Sequence, residues 1–323
     1  MFVSTALTVY WVTDLNRTMN RRQFLQWAAG AACLPFAGCA SHHSALMHCP
    51  GPFSDFHPVN DLGIPAYRIG PEGRAIVLLH ELPGLSPDDL ALARCISKEG
   101  FRVYAPLLFG GPEQDDFVKG FGQSCRAGLF ECNDLSARST ILDRIETFCD
   151  NVATANGPIG VVGMCLTGVF PLALLPNQVR AAVLCQPTLP FSTVPGWPTG
   201  NQVTDLGLGR ADLAEAMASE VPFLAMHYTK DRRCPVKRIE EFQNVFGARV
   251  AVIALEGDGK HSSLAGDFDP GAFADAMTYM KVRLGVLGGP QRMTKALLRS
   301  GTESHACEID ADGPWKPLGR EEA

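Results

Sequence analysis

The sequence lacks three features that would each indicate a particular class of protein. It has no excess of basic residues, since 28 Lys and Arg face 34 Asp and Glu and give a net charge of −6. This dispersed balance argues against nucleic-acid binding. The apolar stretch near the N-terminus is too short for a permanent transmembrane helix. The cysteines form neither CxxC pairs nor Cys/His clusters, so we expect no metal and no cofactor.

Cysteine and apolar residues, by contrast, are plentiful. The 323 residues include eleven cysteines, and 46% of the chain is hydrophobic. A chain of this length and composition can bury a full core, which favours one α/β domain plus tails. The pairing of the cysteines cannot be deduced from the sequence.

Residues 1–39 are predicted to be an export signal. Arg21 and Arg22 precede an apolar stretch over residues 26–36, and small residues follow it. The arginine pair resembles a twin-arginine signal, which is read by a receptor. The alternative interpretation is an amphipathic extension that is not processed. We therefore expect an exported protein, or a cytoplasmic one if the signal is not used.

The end of this segment resembles a bacterial lipobox. In Phe36-Ala37-Gly38-Cys39, Cys39 is the candidate for lipidation and would become the mature N-terminus. Such a protein is periplasmic or lipid-anchored at the cell envelope, with possible membrane attachment through its N-terminus. Met19, directly before the arginines, is a candidate translation start. Residues 40–60 are expected to be a linker.

Alternating strands and helices predict an α/β fold. An apolar run over residues 74–79 is followed by a helix over 87–98, with Ser86 as N-cap, and by a strand over 101–106. This βαβ unit implies parallel strands. Further strands are expected in four places, interspersed with helices: 159–162, 179–185, 221–227 and 249–255. The result is a mostly parallel, doubly wound sheet with helices on both faces, over residues 61–285.

Three segments have no clear pattern. Residues 107–134 and 188–210 are rich in glycine or proline and are expected to be irregular loops that shape a pocket. Residues 286–323, with mixed charge and Gly288-Gly289-Pro290, are expected to be a poorly ordered tail.

One short motif predicts a reactive residue at a sharp turn. Gly163-Met164-Cys165-Leu166-Thr167-Gly168 joins the apolar run that ends at Val162 to an apolar helix. A strand, a tight turn and a helix in this order present the residue at the tip above the sheet edge. Small residues are needed around such a turn because the strand and helix approach closely. The alternative is that Cys165 is a buried small hydrophobe.

Two further residues suit a Cys-His-Asp triad. Asp231 and His261 follow later predicted strands, so the chain order is nucleophile, acid, base. His261 would accept the thiol proton, and Asp231 would orient the imidazole. Asp258 is the rival acid and His227 the rival base.

The loop after the first strand supplies the other expected site groups. A site of this kind stabilises the oxyanion with two backbone amides, here those of Leu82 and Leu166. Glu81 lies beside Leu82 and is an unusual acid at the end of an apolar strand. Its alternatives are an exposed loop carboxylate and a helix-capping group.

These motifs together resemble the dienelactone hydrolase family. The resemblance covers about residues 61–284 and depends on five segments: Leu78–Gly84, Ala105–Gly110, Gly163–Gly168, Lys230–Pro235 and His261-Ser262. It implies an α/β-hydrolase fold, a cysteine nucleophile, and a Glu81 that interacts with the thiol and helps form the thiolate when substrate arrives. Residues 262–266 lack the arginine with which some members hold a substrate carboxylate, and Thr167 is expected to put bulk beside the nucleophile.

The expected function is therefore hydrolysis of a carboxylic ester or lactone through an acyl-thioester on Cys165. The partner would be a small-molecule substrate, with no nucleic acid, and a monomer is favoured. One alternative is an exported binding protein that keeps the fold without turnover. Another is a thiol redox protein that uses Cys165 with Cys185 or Cys234 as the resolving cysteine.

Overall fold

Continuous apolar runs in the sequence become the inner strands of a single sheet. The computed structural model describes residues 49–127, 140–175, 177–188, 206–300 and 303–318. Their strands are β1 (His57–Val59), β2 (Ala66–Ile69), β3 (Ala75–Leu79), β4 (Arg102–Pro106), β5 (Ile159–Met164), β6 (Val179–Cys185), β7 (Phe223–Tyr228), β8 (Val250–Leu255), β9 (Gln291–Ser300), β10 (Glu303–Ile309) and β11 (Lys316–Pro317).

The strand order identifies a doubly wound sheet. It runs β1-β2-β4-β3-β5-β6-β7-β8-β9-β10-β11. The block from β4 to β8 is parallel, and antiparallel strands flank it on both sides. The carboxyl ends of the parallel strands therefore share one edge, where a site can be assembled from several loops.

Helices cover both faces of the sheet, as expected. The described helices are α1 (Pro87–Lys98), α2 (Phe117–Arg126), α3 (Thr140–Asn156), α4 (Phe170–Leu174), α5 (Arg210–Ala218), α6 (Val236–Phe246) and α7 (Pro270–Arg283). Residues of α3 to α6 pack into one core cluster, and residues of α1 and α7 pack into the other. Along β3, successive side chains alternate between the two clusters. Helix α1 has the predicted bounds, whereas α2 lies in a segment predicted to be irregular.

The start of α1 shows why its sequence prediction was correct. The Ser86 hydroxyl accepts a hydrogen bond from the Asp89 amide, and the Asp89 carboxylate accepts one from the Ser86 amide. This reciprocal pair, with Pro87 at the first helical position, is a capping box. The helix direction that follows carries the chain back to β4.

The prediction of a poorly ordered tail is wrong for the described residues after 286. Strands β9, β10 and β11 extend the sheet beyond β8. The Asp275 carboxylate on α7 accepts hydrogen bonds from the backbone amides of Thr294, Lys295 and Ala296. Trp315 is buried and donates its indole N–H to the Phe223 carbonyl at 3.1 Å. The mixed charge of this segment obscured its strand pattern, in which buried residues of β9 pack against α7.

The predicted linker over residues 40–60 is likewise wrong from Cys49 onward. Cys49 forms a disulfide with Cys95 on α1, with the two Cα atoms 5.5 Å apart. Arg94 donates to the Pro52 carbonyl at 2.8 Å, and its guanidinium lies 5.0 Å from the centre of the Phe56 ring. These contacts attach the segment to the domain. The predicted export signal, Cys39 and residues 40–48 lie outside the described residues.

No helix in the described part of the chain is both long enough and apolar enough to cross a bilayer.

Candidate active site

Cys165 lies at a strained turn between β5 and the following helical segment. Its φ angle is +51°, in the left-handed region that residues other than glycine rarely adopt. A Cβ atom at Gly163 would lie 2.3 Å from the Thr167 carbonyl oxygen, and one at Gly168 would lie 2.7 Å from the Cα atom of Pro187. Both glycines are therefore required for this close approach, as the motif predicted.

Thr167 has a structural task in this turn. Its side chain is fully buried, and its hydroxyl oxygen accepts a hydrogen bond from the Met164 amide at 3.1 Å. The hydroxyl lies 3.0 Å from the Leu79 carbonyl oxygen, to which it can donate. The side chain thus links the end of β5 to the end of the adjacent β3. Its bulk fills the junction between the strands.

Three reactive side chains meet at the carboxyl edge of the sheet. One donor or acceptor atom each from Glu81, Cys165 and His261 lies within 4.8 Å of the other two, and all three residues are buried. The His261 Nδ1 atom is 2.5 Å from Asp231 Oδ2. The buried Nε2 atom has no hydrogen-bond partner among the described residues. Because Nδ1 is engaged by Asp231, Nε2 is the nitrogen left for the thiol.

The surroundings of Asp231 favour its carboxylate form. Burial alone raises the pKa of Asp231, but the hydrogen bonds and charges of His261 and Arg233 together outweigh burial and leave the pKa below its usual range. The Arg233 amide also donates to Asp231 Oδ1 at 2.9 Å. An ionised acid on Nδ1 holds the imidazole in one orientation and tautomer.

Glu81 is held by two polar side chains that the sequence did not indicate as its partners. Ser262 donates its hydroxyl hydrogen to Glu81 Oε1. The Gln186 Nε2 atom lies 3.4 Å from Oε2, which is a long hydrogen bond. Burial raises the pKa of Glu81, while His261, Ser262, Arg233 and Gln186 oppose that rise. Both carboxylate oxygens of Glu81 therefore have hydrogen-bond partners within the site.

The two residues expected to supply oxyanion amides follow neighbouring strands. Leu166 comes directly after Cys165, and Leu82 lies in the loop after β3, which pairs with β5. That loop is closed by a hydrogen bond from the Gly84 amide to the Glu81 carbonyl at 2.9 Å. Gln114 donates to the Pro83 carbonyl at 2.6 Å and supports the loop from outside. Both residues thus follow strands that end at the edge that carries Cys165.

A comparison with protein families shows to which family this chain belongs. The profile of the dienelactone hydrolase family matches residues 64–257, which is more than half of the chain. This chain belongs to the dienelactone hydrolase family. It is thus a hydrolase-family protein with the α/β-hydrolase fold, as the motifs predicted.

Several solved structures match this chain at low sequence identity. A dienelactone hydrolase-like protein from Klebsiella pneumoniae matches with a TM-score of 0.50 and 17% identity, over 69% of this chain and 93% of that one. Est1E from Butyrivibrio proteoclasticus has a TM-score of 0.49 and 12% identity, over 70% and 97% of the two chains. An acylaminoacyl peptidase from Pyrococcus horikoshii has a TM-score of 0.46 and 16% identity, over 65% of this chain and 38% of the peptidase. None of the curated proteins matches the sequence significantly.

Neither Asp258 nor His227, the two rival triad residues, lies where a triad with Cys165 would need it. Asp258 is exposed, and the His261 Nδ1 atom is bonded to Asp231 instead. His227 lies within β7, and burial lowers its pKa. His227 does not belong to the group formed by Glu81, Cys165 and His261.

Sequence reasoning missed Gln186 and Ser263 as site residues. Gln186 directly follows β6, and its Oε1 atom accepts hydrogen bonds from the amide and the hydroxyl of Ser263 at 3.1 and 2.6 Å. The rule that site residues gather after parallel strands could have identified Gln186. Its partner Ser263 is 77 positions away, so no spacing could reveal the pair.

A cavity lies at the opposite edge of the sheet from Cys165. Its volume is about 910 Å³, and it is lined by residues that precede β3, β5 and β7. Its charged lining residues are equal in number of each sign: Arg74, Arg180 and Arg283 with Glu215, Glu220 and Asp312. This balance selects no class of ligand, and the cavity shares no lining residue with the group around Cys165.

Proposed function

We propose that this protein hydrolyses small carboxylic esters or lactones with Cys165 as the nucleophile. The observation that carries the proposal is the meeting of the Cys165, His261 and Glu81 side chains within 4.8 Å, with Asp231 bonded to the far side of the imidazole. Nucleophile, base and orienting acid in such contact are the requirements of covalent acyl transfer.

In the first half-reaction, His261 Nε2 accepts the thiol proton, and the sulfur forms a bond to the substrate carbonyl carbon. The electron pair of the carbonyl moves to its oxygen, which the amides of Leu82 and Leu166 stabilise. When the tetrahedral intermediate collapses, the bond to the leaving oxygen breaks, and His261 returns the proton to that oxygen. The product is an alcohol, or the ring-opened alcohol of a lactone, and an acyl-thioester on Cys165.

In the second half-reaction, His261 removes a proton from water, which attacks the thioester carbonyl. Collapse breaks the carbon–sulfur bond and releases the carboxylic acid, and His261 returns the proton to the Cys165 sulfur, which restores the thiol. Asp231 stays ionised and stabilises the imidazolium in both halves. Glu81 shares the thiol proton, so that the resting cysteine stays protonated until substrate arrives. A protonated thiol also resists oxidation.

The test is turnover of p-nitrophenyl acetate by the wild type and Cys165→Ala. We expect Cys165→Ala to lose nearly all activity and acid-quenched wild type to carry an acetyl group on Cys165. Cys149→Ala is the matched control, because Cys149 is another buried cysteine, located on α3. Equal hydrolysis by wild type and Cys165→Ala would refute the proposal. Ester binding without turnover by the wild type would favour the non-catalytic binding protein.

The resolving cysteines of the redox alternative have poor chemistry for that role. Cys185 and Cys234 are both buried, and burial raises the pKa of each thiol far above its usual range. A thiol that stays protonated exchanges slowly with disulfides. Rapid reaction of Cys165 with peroxide in a protein without esterase activity would reverse this judgement.

We also propose that the domain works outside the cytoplasm. The Cys49–Cys95 disulfide supports this, because structural disulfides persist in oxidising compartments. The signal-like arginines and the lipobox resemblance at Cys39 point the same way. Replacing Arg21 and Arg22 with lysine should keep the protein in the cytoplasm, as measured by cell fractionation. Cys39→Ala should abolish labelling by a radioactive fatty acid, and unchanged labelling would refute lipidation at that residue.

A further inference from the structure

Gln186 occupies an unusual position beside the proposed nucleophile. It follows β6 directly, is fully buried, and has a φ angle of +36°. A glutamine in this left-handed conformation is strained, and such strain persists only where the surroundings hold the residue firmly. The backbone amide of Gln186 donates to the Met226 carbonyl oxygen at 2.7 Å. The backbone therefore fixes the direction in which the side chain leaves the strand end.

The side-chain amide of Gln186 has one favourable orientation. Two hydrogen-bond donors of Ser263, its backbone amide and its hydroxyl, point at Oε1. The Nε2 group then faces Glu81 Oε2 at 3.4 Å. A reversed amide would place its NH₂ group against the Ser263 amide and its oxygen against a carboxylate. The contact with Ser263 therefore directs the N–H groups of Gln186 toward Glu81.

Several charged or titratable groups act on the Glu81 carboxyl besides Gln186. From the loop after β8 come His261 and Ser262, and from the turn after β7 comes the charge of Arg233. From α1 comes Asp89, which is buried. The thiol of Cys165 comes from the turn after β5, and the thiol of Cys185 from the end of β6.

The signs of these groups differ. Arg233 and a protonated His261 favour the carboxylate, as do the donors Ser262 and Gln186. A charged Asp89 opposes it, as does burial. Gln186 is the neutral donor on the second oxygen, and its effect does not depend on its own titration.

We propose that Gln186 is a positioning residue that holds the Glu81 carboxylate beside Cys165 and favours its ionised form. The inference rests on the proposed function, since it assigns a means of control to the same site. An ionised carboxylate within 4.8 Å of the thiol disfavours a second negative charge on sulfur. Gln186 thus keeps the resting cysteine protonated by acting through Glu81.

The pH dependence of Cys165 alkylation by iodoacetamide tests this inference without any need for turnover. Glu81→Gln removes the negative charge, so its alkylation midpoint should move down by about one pH unit or more. Gln186→Met removes the amide donors, so Glu81 is ionised over less of the pH range. The alkylation midpoint of Gln186→Met should therefore also move down, by a smaller amount than that of Glu81→Gln. A shift of about half a pH unit would make alkylation of Gln186→Met near pH 7 about threefold faster than that of the wild type, since one pH unit corresponds to a factor of ten.

The double variant separates a positioning role from a general structural one. If Gln186 acts through Glu81, adding Gln186→Met to Glu81→Gln should leave the midpoint unchanged. A further shift equal to that of Gln186→Met alone would overturn the inference, as would a wild-type profile for Gln186→Met.

A second variant keeps the inference testable if Gln186→Met does not fold. Ser263→Ala removes one of the two donors that orient the Gln186 amide and leaves Gln186 itself in place. It should shift the alkylation midpoint slightly downward, and only when Glu81 is present. An unchanged profile in Ser263→Ala would then count against the inference. Failure of the proposed function is a different result, because it is decided by ester turnover in Cys165→Ala.

Discussion

The buried hydroxyl of Thr167 provides a sharp test of how the nucleophile turn is held. Thr167→Val keeps the shape of the side chain but removes the acceptor for the Met164 amide. A buried donor left without a partner costs about 1–3 kcal/mol. In a domain of this size each kcal/mol lowers the melting temperature by about 2–4 °C. We therefore expect Thr167→Val to melt about 2–12 °C below the wild type.

The same change should reduce catalysis, because the hydroxyl links the strand before Cys165 to the strand before Glu81. Displacement of a reacting group by about 1 Å can reduce the rate by about a hundredfold. A partial displacement should lower kcat/KM for p-nitrophenyl acetate by about tenfold. The assays are thermal unfolding followed by circular dichroism and steady-state hydrolysis at neutral pH.

Thr167→Ser is the matched control. It keeps the hydroxyl and loses one methyl group, which costs about 1 kcal/mol. Its activity should stay near that of the wild type. If the valine and serine variants unfold at the same temperature and hydrolyse the ester at the same rate, the hydrogen bonds of Thr167 do not hold the turn.

Three further predictions concern the acids of the site and the C-terminal strands. Burial raises the pKa of Glu81, so the folded state binds this proton more tightly than the unfolded state does, and stability is lost as pH rises through the carboxyl range. Glu81→Gln should therefore melt higher than the wild type at pH 7, with the gain vanishing below about pH 4; a lower melting temperature at pH 7 would contradict this. The opposite sign holds for Asp231, whose lowered pKa stabilises the fold above its unfolded pKa and ceases to do so as pH falls through the folded value. Asp231→Asn should lower kcat on the order of 10³-fold and melt lower at pH 7, with a smaller difference near pH 3, as calorimetry at both pH values would check. Trp315→Ala should destabilise the domain by about 3–5 kcal/mol in urea unfolding, whereas Trp315→Phe should lose less because the ring still fills the site beside Tyr279.

Local patterns predicted the parts of the fold that depend on neighbouring residues. The capping box at Ser86, the apolar strand runs and the glycines around Cys165 are all short-range features, and the structure confirms each one. The chain order of Cys165, Asp231 and His261 also predicted that these side chains lie close together, and in the structure His261 lies next to both of the others. This is possible because the ends of parallel strands share one edge.

Long-range contacts account for what the sequence did not reveal. Strand β9 is attached to α7 through Asp275, whose carboxylate accepts hydrogen bonds from backbone amides about twenty residues away. The Cys49–Cys95 disulfide spans 46 positions, and connectivity has no local signature. Ser263 orients Gln186 from a different loop. In each case a tertiary contact decided the conformation of a segment whose own pattern was weak or mixed.

The two strained residues of the site explain how Cys165 and Glu81 are held in register. Cys165 and Gln186 follow β5 and β6, which are neighbours in the sheet, and both have positive φ angles. The two strand ends are connected by a hydrogen bond from the Thr188 amide to the Cys165 carbonyl at 2.9 Å. A relaxed backbone at either position would turn its side chain away from the shared edge, separating the thiol from His261 or the amide from Glu81. The strained conformation of Cys165 and that of Gln186 therefore depend on each other. We expect the effects of substitutions at these two positions on the free energy of unfolding to be strongly non-additive.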